Sequence, residues 1–167
     1  DAITVAYSYI GPVLTHPMYR DGSIGKAKDH LFKTAKEITE EFNGIRAYLS
    51  VNKALVTQSS AAIPIVPLYI SILYKVMKAK GCHEGCIEQM YRLFNQKLFG
   101  EKPVLDAEGR IRLDDLELQD DIQEEVTKLW SDISTEKIAE CAEIDGYWEE
   151  FYNLFGFKVT GVDYDDE

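Results

Sequence analysis

Apolar and polar positions change period along the chain, and each change marks an element. Residues 2–9, Ala-Ile-Thr-Val-Ala-Tyr-Ser-Tyr, are rich in β-branched and aromatic side chains and predict a strand, which Gly11-Pro12 stops. Residues 11–22 have loop composition. Ser23 is the expected N-cap of a helix that places Ile24, Ala27, Leu31, Ala35, Ile38 and Phe42 on one face and ends near Asn43-Gly44. Residues 45–51 alternate as a second strand. Strand, helix and strand joined by a crossover of about 20 residues form the βαβ unit of a parallel sheet.

Beyond Asn52 the pattern becomes helical. Thr57-Gln58-Ser59-Ser60 is polar, and residues 61–80 are apolar nearly all round until Lys75, which predicts a buried helix whose start is shaped by Pro64 and Pro67. Residues 83–99 predict an amphipathic helix through Ile87, Met90, Tyr91, Phe94 and Leu98. Residues 100–113 predict a loop or small hairpin with a turn at Asp106-Ala107-Glu108-Gly109. Acidic helices are expected at 118–133, 136–142 and 146–154, and a frayed tail at 163–167. The expected architecture is α/β: the last two strands of a parallel sheet, followed by a helical cap.

Composition narrows the function classes. With 167 residues, 46% of them apolar, the chain has enough material for a buried core, which excludes disordered and collagen-like classes. Eighteen Lys+Arg against 29 Asp+Glu give a net charge of −11, which argues against nucleic acid or an anionic membrane as the partner. The apolar run at 61–74 is broken by prolines and is shorter than the roughly 20 residues a bilayer requires, so no membrane span is predicted. Cys82, Cys86 and Cys141 give no even disulfide framework, as expected of a reducing cytoplasm. A first residue, Asp1, that runs directly into a strand leads us to expect a part of a longer protein.

Two motifs invite chemistry and fail on spacing. Gly22-Ser23-Ile24-Gly25-Lys26 resembles a phosphate loop, but Arg20 stands where that pattern needs its first glycine, and Ala27 follows Lys26 where it needs Ser or Thr. A helix start made of small residues explains it better, although such a start still favours an anion. Cys82-His83-Glu84-Gly85-Cys86 offers metal-ligating types without a second cluster at zinc spacing, so no metal is expected, and His16 reads as a loop residue. A GxGxxG turn after a strand is absent from the sequence.

The passage through Tyr7, Tyr9, Tyr19 and Lys28 is more informative. Tyr19 falls in the loop and Lys28 in the first two turns of the next helix, so both side chains can reach one pocket. A phenol becomes a usable proton donor when an ammonium stabilises its anion.

Several runs resemble the trans-2-enoyl-CoA reductase and FabV-type enoyl-ACP reductase family. They are Tyr7-Ser8-Tyr9-Ile10-Gly11-Pro12, Tyr19 to Lys28, Ser50-Val51-Asn52-Lys53-Ala54-Leu55-Val56-Thr57, Ile63-Pro64-Ile65-Val66-Pro67-Leu68-Tyr69, Lys75-Val76-Met77-Lys78, His83-Glu84-Gly85-Cys86-Ile87-Glu88-Gln89, Asp114-Asp115-Leu116-Glu117-Leu118 and Gly161-Val162-Asp163-Tyr164. The family's Tyr and Lys are separated by eight residues, as Tyr19 and Lys28 are.

The resemblance implies the C-terminal part of a Rossmann-like, short-chain-dehydrogenase-like parallel sheet with a helical substrate-binding cap, divided into residues 1–60 and 61–167. It implies Tyr19 as proton donor and Lys28 as ligand of the nicotinamide ribose. Leu55, Val56 and Thr57 close over the NADH cofactor, Tyr9 and Tyr74 bind substrate, and the Pro64 to Tyr74 segment lines an acyl channel. The implied reaction is NADH-dependent reduction of an enoyl-CoA or enoyl-ACP thioester in fatty acid metabolism, by a monomer or homodimer. Family members are longer and place their glycine-rich turn upstream, so an N-terminal remainder of the same enzyme is the expected partner and these residues alone are expected to be inactive. A different class, a helical protein-binding module without catalysis, would leave the Tyr-to-Lys spacing to chance.

Overall fold

The computed structural model describes residues 1–165; positions 166 and 167 of the expected frayed tail lie outside the described residues. It divides into two compact units, Asp1–Ala54 with Glu84–Gln123, and Leu55–His83 with Glu124–Glu167. Neither unit is a single stretch of chain, so the segment after His83 belongs with the strands rather than with the helices that precede and follow it.

The first unit is α/β. β1 (Ala2–Ser8) and β2 (Ile45–Val51) pair in parallel over their whole length, from Ala2 opposite Ile45 to Ser8 opposite Val51. A third parallel strand, β3 (Ile111–Arg112), pairs with β2 at Ser50 and Val51, giving the order β1-β2-β3. This corrects the expected loop or hairpin at 100–113. Two residues are too short for a readable alternation, and the pairing comes from a neighbour about 60 positions away. The expected turn is present, with Gly109 at φ +89° and Asp106 Oδ1 accepting the Glu108 and Arg110 N–H groups, and it feeds a parallel strand.

The residues between β1 and the main helix are not all loop. After a 3₁₀ turn at Val13–Thr15, α1 (His16–Tyr19) forms one helical turn, with His16 Nε2 donating to the Gly11 carbonyl at 3.2 Å. α2 (Ser23–Glu41) then packs on β1 and β2, capped at Gly22 with Ser23 as its first residue. In chain order the remaining helices are α3 (Gln58–Ala61), α4 (Val66–Ala79), α5 (Cys86–Arg92), α6 (Asp120–Asp132), α7 (Ile138–Cys141) and α8 (Ile144–Asn153). Of these, α5 lies in the first unit, begins three residues later than expected and passes into a π-helical turn, Leu93–Leu98. Leu93 and Leu98 bury against Ile111 and Leu113, with Val5, Tyr48 and Met90 around them.

The second unit is helical. Thr57 caps the short α3 in a reciprocal pair with Ser60. α4 starts five residues later than expected, because Pro64 and Pro67 cannot continue a helix and Ile65 adopts φ +72° before it. α4 is buried nearly all round, as its composition predicts, and packs against α8. α6 starts in the first unit, and α7 lies in the second. No helix among the described residues is long and apolar enough to cross a membrane.

Candidate active site

Parallel strands all point the same way, so the segments that follow them emerge at one edge, where α/β sheets place ligands. Here those segments are Tyr9 onward after β1, Asn52–Ala54 after β2 and the run from Leu113 after β3. Backbone hydrogen bonds continue the sheet into them: Asn52 N–H donates to the Ser8 carbonyl at 2.8 Å and Leu113 N–H to that of Val51 at 2.8 Å.

Tyr9, Tyr19 and Lys28 meet at this edge. Lys28 Nζ lies 4.5 Å from the Tyr19 ring centroid and 5.5 Å from that of Tyr9. It also donates a hydrogen bond to the Tyr9 backbone carbonyl. The two rings meet edge to face at 4.8 Å. Together with Arg20, Gly25 and Asp29 they line a cavity of about 170 Å³. The fold brings them there because α1 ends at Tyr19 and α2 begins four residues later, which sets Lys28 on the second helical turn beside it.

Gly25 has a packing role in this arrangement. A Cβ there would come within 1.9 Å of the Arg20 carbonyl oxygen, so the glycine lets the Tyr19-Arg20 turn lie directly on α2. That contact accounts for Gly25 in the run that resembles a phosphate loop.

Burial sets the electrostatics. It lowers the Lys28 ammonium to about 8, which leaves it charged at neutral pH. It raises the Tyr19 phenol, and the Glu117 carboxylate raises it further. Tyr19 is 9% exposed and opens onto the cavity. The arrangement is a neutral phenol beside a partly desolvated cation, suited to giving up a proton toward an oxygen on which negative charge collects.

Leu55, Val56, Thr57 and Tyr74 belong to the second unit and form their own group. The Val56 N–H donates to the Tyr74 hydroxyl at 3.2 Å, and Thr57 Oγ1 accepts the Ser60 N–H at 3.0 Å. Tyr74 is 0% exposed and packs edge-on to His83 at 4.4 Å. In the Cys82-to-Cys86 motif His83 pairs with Glu150 at 2.8 Å, Cys82 donates to the Met77 carbonyl, and Glu84 pairs with Arg92. No group of three or more His, Cys, Asp or Glu among the described residues could hold a metal ion.

Glu117 is the residue that single-residue reasoning missed. It is one of 29 acids and lies 108 positions from Tyr9, whose hydroxyl donates to its Oε1 at 2.9 Å. No local pattern could have selected it.

Comparison with known proteins bears on this constellation. The family model described as trans-2-enoyl-CoA reductase catalytic region matches residues 1–99. The chain belongs to the trans-2-enoyl-CoA reductase family. A second model, described as enoyl reductase FAD binding domain, matches residues 105–167. An enoyl-[acyl-carrier-protein] reductase [NADH] of Flavobacterium psychrophilum is 56% identical over 98% of this chain and 42% of its own length. A trans-2-enoyl-CoA reductase [NADH] of Ruminiclostridium cellulolyticum is 53% identical over 98% and 42%. The crystal structure of Clostridium acetobutulicum trans-2-enoyl-CoA reductase in complex with NAD superposes with a TM-score of 0.92 at 52% identity, over 99% of this chain and 44% of that one. The chain thus spans about 42% of the length of the curated relatives it matches.

Proposed function

We propose that this chain carries the proton-donating part of an NADH-dependent reductase, which converts the trans-2 double bond of an enoyl-CoA or enoyl-acyl-carrier-protein to the saturated acyl thioester. The observation that carries this reading is the joint placement of Tyr19 and Lys28, eight residues apart, on one cavity, with the ammonium 4.5 Å from the phenol ring. The relatives described above carry NADH in their names, which supports that cofactor over the FAD of the second family model's description.

The residues present fit the ribose end of such a cofactor. A cation that burial has partly stripped of water gains by meeting hydroxyl groups, and Arg20, Lys28 and Asp29 give the cavity a polar wall. When bound, NADH supplies the hydride. Lys28 would hold the ribose, and Leu55, Val56 and Thr57 would cover the nicotinamide and pyrophosphate. Tyr19 hydrogen-bonds the thioester carbonyl oxygen and stabilises the charge that gathers there as the β carbon takes up hydride, and the phenolic proton, whose loss Lys28 eases, is delivered to the α carbon to complete the saturated thioester. Tyr9, whose hydroxyl donates a hydrogen bond to Glu117, would meet the acyl thioester through its ring. Tyr74, whose hydroxyl accepts the Val56 N–H at 3.2 Å, would bind the substrate. On this reading residues 1–60 supply the dinucleotide-fold portion and 61–167 the helical cap, except that 55–60 group with the helices and 84–123, with β3, group with the strands. The three cysteines are free, in keeping with a cytoplasmic enzyme, as a monomer or homodimer.

Tyr19→Phe in the full-length protein that carries this sequence tests the reading. Crotonyl-CoA reduction falls by about 10²- to 10⁴-fold while NADH affinity, followed by fluorescence, stays within about twofold. A variant that reduces at the wild-type rate sinks the proposal and leaves the helical binding module.

A further inference from the structure

Glu117 is fully buried. A carboxylate taken out of water persists only where its oxygens are met by donors, and both are: Oε1 accepts the Tyr9 hydroxyl at 2.9 Å and Oε2 the Ala54 N–H at 2.7 Å. Its own backbone is anchored, with the carbonyl accepting from Gln123 Nε2 at 2.6 Å. The preceding residues are pinned as well, Asp114 by Arg112 and the Leu113 carbonyl by Arg92 at 2.7 Å. One side chain after β3 therefore ties the segments that follow β1 and β2.

Tyr9 passes this restraint on. Its carbonyl accepts from Lys28, its ring meets Tyr19 edge to face at 4.8 Å, and its hydroxyl is held by Glu117. The opposite flank is closed too, because a Cβ on Gly11, at φ +74°, would come within 2.6 Å of the Tyr9 hydroxyl oxygen. A change of about 1 Å in the position of catalytic groups can cost on the order of 100-fold in rate.

Resting on the reductase reading above, we infer that Glu117 is a positioning residue for the Tyr19–Lys28 pair, acting through Tyr9 and contributing its negative charge as well as its hydrogen bonds. The titratable groups of this cluster include Tyr9 from the loop after β1, Tyr19 from α1, Lys28 from α2 over both rings, and Lys53 after β2, whose buried ammonium donates to the Ala54 carbonyl at 2.9 Å. On its own segment Asp114 is paired with Arg112, and Asp115 with Arg92 and Lys97. Burial raises the Tyr19 phenol, and the charge of Glu117 raises it further.

The test is Glu117→Gln, with Glu117→Ala and Tyr9→Phe beside it, in the full-length protein, using NADH and crotonyl-CoA. Glu117→Gln keeps the shape and removes the charge: kcat falls by about tenfold or more, KM stays within about threefold, and the alkaline limb of kcat/KM moves to lower pH. Tyr9→Phe, which keeps the carboxylate, lowers kcat without moving that limb down. If Glu117→Ala does not fold, Glu117→Gln still decides. A folded Glu117→Gln with wild-type kcat and wild-type alkaline limb overturns the inference, as does one that only melts earlier. A wild-type protein without reductase activity, or a fully active Tyr19→Phe, overturns instead the functional reading on which it rests.

Discussion

Lys28 is a cation that the fold holds partly out of water, and the consequence can be followed by pH. Its ammonium is lowered to about 8 from an ordinary value of 10.5, so between those values the unfolded chain binds the proton and the folded chain does not. Stability from this residue therefore rises with pH across that window, and the full burial penalty is present below about pH 8. The raised Tyr19 acts in the opposite sense above about pH 10, where the unfolded chain ionises first. On the reductase reading, Lys28→Met in the full-length protein that carries this sequence is expected to lose activity, and in this chain to be more stable at pH 7 by about 1 kcal/mol, a figure discounted for the solvent the ammonium retains, with the gain fading toward pH 10. Urea unfolding at the two pH values measures this, and a variant less stable at pH 7 contradicts it. The Tyr-to-Lys spacing was legible in the sequence because both residues sit on one local passage. Glu117 was not, because a contact over 108 positions leaves no periodic trace.

Among the elements, the junction of α1 and α2 governs the site. Gly25 permits the Arg20 carbonyl to approach where a Cβ would come within 1.9 Å, and that approach places Tyr19. Gly25→Ala forces the turn off the helix, at about 1–3 kcal/mol of overpacking, and, on the reductase reading, reduces the kcat of the full-length protein on the order of 100-fold through displacement of Tyr19. Thermal melting together with initial rates checks both; wild-type turnover by Gly25→Ala removes the packing argument. The long helices and β1 and β2 were readable because each repeats its own period several times. β3 and α1 were not, since two and four residues cannot establish one. α4 starts five residues beyond the start of the apolar run because Ala61 to Ile65 is as apolar as the helix it precedes, and the backbone at Ile65, φ +72° with 53% exposure, is decided by the prolines around it.

At the scale of the whole molecule, net charge is a property that needs no coordinates to have a physical consequence. A charge of −11 on 167 residues repels itself, and exposed pairs such as Lys33–Glu37 at 3.5 Å offset little of it. Raising NaCl from about 10 mM to about 0.2 M shortens the Debye length below typical surface spacings and is expected to stabilise by about 1 kcal/mol, or about 2–4 °C in Tm. Circular dichroism melts test this, and a fall in Tm would show that the ion pairs outweigh the repulsion. The sequence by itself determined the βαβ order, the buried α4, the Tyr19–Lys28 spacing and the family, because local periodicity and residue-by-residue likeness survive without coordinates. Only the tertiary structure decided that β3 pairs in parallel with β2, that Tyr74 is wholly buried, and that a carboxylate after β3 holds Tyr9. Those outcomes depend on segments far apart in the chain meeting at one sheet edge or one helix face, and the cost of an unpaired buried polar group then selects which side chains face each other.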